Sequence, residues 1–157
     1  MNHNRTLING ALLASLLVLS ACDTNPTVAA SNSITPASNT LKAQLSGASE
    51  VPAVVGQGSG SFKASLDQQT RILKWTITYS GLSGPVTSAH FHGPALVEEN
   101  AEVLLPITGN LTVSPIKQTA TLTAAQMEEV QAGKWYVNLH TTANPKGEIR
   151  GQVVVQN

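Results

Sequence analysis

The chain has 157 residues, nine Lys plus Arg against nine Asp plus Glu, and only 11% charged residues. That length suits one domain with a real core. The balanced charge offers nothing to recruit nucleic acid, and aromatics at 4% are too few for a base- or sugar-stacking platform.

Met1 to Cys22 reads as a lipoprotein signal peptide. Arg5 supplies the positive start, and Leu7–Ser20 is an apolar run of 14 residues, the length of a signal-peptide core and short for a spanning helix. Leu19-Ser20-Ala21-Cys22 closes it and resembles a bacterial lipobox, whose cysteine is acylated and becomes the mature N-terminus. Plainer alternatives are an ordinary signal peptide cut near Ala21 and a short anchor that is never removed. Cys22 is the one cysteine, so no intramolecular disulfide and no cysteine-based metal site can form. Asp23–Thr40 is rich in Ser, Thr, Asn, Ala and Pro and reads as a flexible tether reaching about 20–25 Å. The expected location is therefore exported and membrane-anchored, facing the periplasm or the cell exterior.

The folded domain is expected over 41–157. Leu41–Leu45 alternates and reads as a first strand, followed by a Gly/Pro/Ser-rich connection through Glu50-Val51-Pro52. Ser61–Leu66 alternates again, and Asp67–Thr70 turns the chain into Arg71–Tyr79, dense in strand-forming Ile, Trp, Thr and Tyr. Val86–His92, Ala101–Ile107, Leu111–Val113 and Lys117–Leu122 are further short strands. Thr123-Ala124-Ala125-Gln126 matches a capping box for one short helix ending at Gly133. Tyr136–His140 and Glu148–Val155 are the last strands, joined by a turn through Asn144, Pro145 and Gly147. Many short strands at this spacing predict an all-β fold, an antiparallel Greek-key or immunoglobulin-like β-sandwich with one short helix.

Strand parity gathers the chemistry. His90 and His92 share a face, with Ala89 and Phe91 on the core side. Tyr136, Asn138 and His140 form the polar face of their strand, and Glu148, Arg150 and Gln152 that of the last, expected to face out. Three imidazoles on polar faces suit copper or zinc, with an open position left over. In that reading His90, His92 and His140 are the ligands. Glu148 orients His140 from behind, and Arg150 attracts an anion. The plainer reading is that His140, Glu148 and Arg150 form a cross-strand polar cluster bracing the hairpin. Glu98, Glu99 and Glu102 read as solvated charges, with a calcium site the alternative. No nucleophile elbow or phosphate loop is present.

LSGASEVPAV at 45–54, AHFHGPA at 89–95 and AGKWYVNLHTTANPKGEIRGQV at 132–153 together resemble the CHRD domain, named after chordin. The resemblance implies an immunoglobulin-like β-sandwich, and its bacterial members are mostly exported proteins without an assigned activity. A more distant similarity is to copper–zinc superoxide dismutases, on His90-Phe91-His92, Asn138-Leu139-His140 and Arg150. The fourth, metal-bridging histidine, the zinc loop and the disulfide of those enzymes have no counterpart here. The leading expectation is a lipid-anchored, non-enzymatic envelope module, held to the membrane at Cys22 and binding an envelope protein partner through its loops. The alternative is a copper- or zinc-binding protein, dismutase-like at most, with Arg150 as its one catalytic candidate.

Overall fold

The computed structural model describes residues 38–156. The signal peptide, Cys22 and the tether as far as residue 37 lie outside the described residues. The strands are β1 (Ser38–Ser46), β2 (Ser59–Asp67), β3 (Ile72–Ser80), β4 (Val86–His92), β5 (Val103–Ile107), β6 (Ile116–Thr121), β7 (Trp135–Thr141) and β8 (Ile149–Val155), with helix α1 (Ala124–Gln131) before β7. They form one continuous sheet in the order β5-β4-β7-β8-β1-β2-β3-β6, and every pairing is antiparallel.

Period-2 alternation explains how that sheet doubles over. Leu41, Ala43 and Leu45 of β1, Phe62 and Leu66 of β2, Leu73, Trp75 and Ile77 of β3, and Phe91, Val137 and Leu139 of β4 and β7 are all buried. Each of the larger side chains contributes roughly 1.5–3 kcal/mol by leaving water. Phe91 meets Phe62 edge-on at 5.6 Å and Trp75 at 5.2 Å. The β4 half of the sheet therefore lies across the core from the β2–β3 half, as the sandwich reading expects. The Gln118 side chain of β6 donates to the Thr108 carbonyl just past β5, so the two edge strands approach and nearly close the sheet.

The helix forms where its capping box predicts. Thr123 Oγ1 accepts from the Gln126 amide at 3.2 Å, and Gln126 Oε1 accepts from the Thr123 amide at 2.9 Å. Fully buried Val130 anchors it to the core. Elsewhere the structure differs. β1 begins at Ser38, so the last three residues assigned to the tether pair with β2 through residues 65–67. Leu111–Val113 is not a strand: the Asn110 side chain accepts from the Thr112 amide (3.0 Å) and hydroxyl (2.8 Å), which turns the chain. Leu111 is still buried, and its carbonyl accepts the Tyr79 hydroxyl at 2.6 Å.

The larger correction concerns the polar faces of β7 and β8. They were expected to face out, yet every residue of β7 is buried, and so are Glu148 and Arg150. The connection from β4 to β5 roofs Arg150, and Ser83 in the connection from β3 to β4 covers Glu148. Arg150 donates to the Glu99 carbonyl (2.6 Å) and to Asn100 Oδ1 (3.1 Å), while Asn100 Nδ2 donates to the Val51 carbonyl at 3.1 Å. Two loops are thus tied down over a polar layer.

Candidate metal centre

Register brings the three histidines together. His90 stands opposite Asn138 and His92 opposite Tyr136, while His140 is paired with Ser88. His140 is therefore a diagonal neighbour of His90, close enough for long side chains to meet. One ligand atom from each of His90, His92 and His140 lies within 4.8 Å of the other two. His90 Nδ1 and His140 Nε2 are 3.1 Å apart. Two nitrogens bonded to zinc at 2.0–2.1 Å in tetrahedral geometry sit about 3.3 Å apart. Among the described residues this is the one group of three or more metal-ligating side chains, and Glu98, Glu99 and Glu102 are not part of it.

Backbone carbonyls set which nitrogens face the centre. His92 Nδ1 lies 2.9 Å from the Ala101 carbonyl, and His140 Nδ1 lies 3.1 Å from the Pro145 carbonyl. A carbonyl only accepts, so both Nδ1 atoms carry the proton. In the neutral rings both Nε2 atoms are bare lone pairs. Each Nε2 then points at Asn138 Oδ1, at 3.1 Å from His92 and 3.0 Å from His140. Three acceptors converge with no proton between them. Without a cation, the amide must turn over so that Nδ2 donates, or a ring must take a proton. Protonation is disfavoured: burial lowers the pKa of both His90 and His140, neighbouring imidazoles add to the effect, and at His140 the Pro145 carbonyl only partly offsets it.

His140 is buried while His90 and His92 are half-buried, so the centre has one shielded ligand and an edge open to solvent. No carboxylate belongs to the ligand group. Imidazole-only donors suit copper and zinc and are poor for calcium or magnesium.

The supporting roles are redistributed. The Glu148 carboxylate is hydrogen-bonded to Ser83 and Thr141 rather than to His140. It accepts from the Ser83 amide (2.7 Å), the Ser83 hydroxyl (2.6 Å) and the Thr141 hydroxyl (2.5 Å), fastening the β3–β4 connection to the last hairpin. Burial pushes its pKa up, but those hydrogen bonds outweigh it and hold the group below its ordinary value. The Pro145 carbonyl takes the orienting role expected of Glu148. Arg150 is likewise not beside the nitrogens. Its guanidinium carbon sits 3.5 Å above the Tyr136 ring, and that ring stacks on His92 at 4.7 Å with 3° between planes. β7 lies between β4 and β8, so Tyr136 separates Arg150 from His92.

Asn138 and Tyr136 carried no assigned role in the sequence reading. Their signal was available in the parity of Tyr136-Val137-Asn138-Leu139-His140, which places all three polar side chains on the face of His140. The Ala101 and Pro145 carbonyls left no signal, because any residue supplies a carbonyl.

A family model described as the CHRD domain matches residues 41–153. No curated protein and no solved structure matches the chain.

Proposed function

The chain belongs to the CHRD-domain family, and from that premise we propose that it binds copper or zinc through His90 Nδ1, His92 Nε2 and His140 Nε2. One observation carries the reading: one nitrogen from each of the three rings lies within 4.8 Å of the other two, with His90 Nδ1 and His140 Nε2 3.1 Å apart and two of the rings held by backbone carbonyls at their far nitrogens. Outer-shell partners of this kind hold ring orientation and tautomer in metal sites. Three protein ligands leave a position for water or a small ligand at the open edge.

The role is that of a metal-holding envelope protein rather than a dismutase. Arg150 lies behind Tyr136, and two of its nitrogens are spent on Glu99 and Asn100. It is not placed to guide an anion to the metal. Anchoring at Cys22 belongs to the same proposal, supported by the lipobox and the apolar run before it.

Metal analysis of chelator-stripped, copper- or zinc-reloaded protein tests the reading. Wild type is expected to retain about one equivalent after desalting, and His140→Ala and His92→Ala well under half. Equal, negligible metal in all three would leave the envelope-binding module as the account. Cys22→Ser is expected to abolish lipid labelling and membrane retention, and unchanged labelling would refute the anchor.

A further inference from the structure

Arg150 has a second environment. It helps line a cavity of about 450 Å³ between the 47–53 turn and the Val97–Glu98 bend, within the size range of small-molecule sites. The residue is 2% exposed, and its side-chain hydrogen bonds among the described residues go to an amide oxygen and a carbonyl rather than to a carboxylate. Buried charges are ordinarily paired. A guanidinium has five N–H donors, and two here serve the Glu99 carbonyl and the Asn100 side chain, both uncharged.

The candidate partner on the same wall is Glu50, 7% exposed, and it does not form the pair. Its carboxyl group is packed against Gly147, where an added Cβ would stand 2.5 Å from Glu50 Oε1. Burial holds the Glu50 pKa up to about 7, with Arg150 pulling it the other way. Val51, Pro52, Ala53 and Val97 give the cavity an apolar side.

We propose that this cavity binds a small monocarboxylate, its oxygens taken by Arg150 and its hydrocarbon held against Val51, Pro52 and Val97. A single negative charge fits the wall. One buried cation faces it, and Glu98, joined by Glu50 once that group ionises, disfavours the second charge of a dianion such as phosphate. The carboxylate can belong to a free short-chain acid or to a peptide C-terminus, since both present the same group. The site is independent of the histidine cluster and does not rest on metal binding.

Titration of the full chain with paired probes, followed by methyl NMR at Val51, Ala53 and Val97, tests this. Hexanoate is expected to saturate with a Kd of about millimolar, and hexanamide to bind at least about tenfold more weakly. N-acetyl-alanyl-valine against its C-terminal amide distinguishes the peptide source from the free acid. Arg150→Met is expected to lose the preference for acid over amide. Because that variant disturbs the Tyr136 stack, Glu50→Gln provides a second test. Glu50 faces Arg150 and Glu98 across the cavity and Lys146 on the hairpin side. Wild-type hexanoate binding is expected to weaken between about pH 6 and pH 8 as Glu50 ionises, and Glu50→Gln to lose most of that dependence. Equal binding of hexanoate and hexanamide, tighter binding of hexylammonium, or no saturation by about 50 mM would each overturn the proposal.

Discussion

Replacing Glu50 with glutamine should remove a pH dependence of stability that one buried carboxyl group creates. In the folded chain its pKa stands at about 7 against an ordinary 4.5, with desolvation the dominant cause and Arg150 opposing it. The folded state therefore holds a proton that the unfolded chain releases between those values. Stability from this group is full below about pH 4.5 and is lost as pH rises through about 7. The whole shift corresponds to about 3 kcal/mol, and about 2 kcal/mol after discounting for screening through the cavity it lines. Urea denaturation of wild type and Glu50→Gln in chelator, at steps from about pH 5 to pH 8.5, isolates the effect as a difference. His90 and His140, with lowered pKa values, favour the folded state as pH rises, but they are common to both proteins and cancel. The expected result is that the variant gains about 2 kcal/mol on wild type across that range. A flat difference would refute the reasoning, and a wild type that gains on the variant as pH rises would mean that Glu50 is ionised and paired with Arg150.

Two further perturbations read the supports of the polar layer. Gly147→Ala is expected to cost about 2–4 kcal/mol in denaturant unfolding, since φ there is +127° and the new methyl would meet the Glu50 carboxyl group; a cost below about 1 kcal/mol would show that the turn relaxes freely. Tyr136→Leu is expected to weaken zinc binding about 10- to 100-fold in a competition titration, because it removes the stack on His92, while Tyr136→Phe keeps most of the affinity. Equal losses in both variants would place the role in the hydroxyl, which exchanges hydrogen bonds with Ala101.

Much of the architecture was legible in period-2 patterning. Val86–His92 is the observed β4, and Thr123 and Gln126 mark the helix start. The grouping of His90, His92 and His140 was legible for the same reason: parity decides which side chains share a face. Burial of that face was not. Alternation distinguishes polar from apolar faces, but it cannot tell that the connection between β4 and β5 folds back over the polar one. That contact depends on Asn100 reaching Val51, across 49 positions of sequence. Glu148 was misassigned for a related reason. Standing next to His140 across the hairpin suggested a bond between them, yet Ser83, 65 positions earlier, competes for its carboxylate and prevails. Asn138 was placed on the right face but not at the centre, because its role depends on how two rings on different strands tilt toward it.

The central claim is that His90, His92 and His140 hold one metal ion together. X-ray absorption on zinc-loaded protein, stripped of excess metal, counts imidazole ligands directly through their scattering at the zinc edge. Three imidazoles with nitrogens at about 2.0–2.1 Å and one lighter ligand are expected. Zinc surrounded by oxygen alone, or by a single imidazole, would contradict the account.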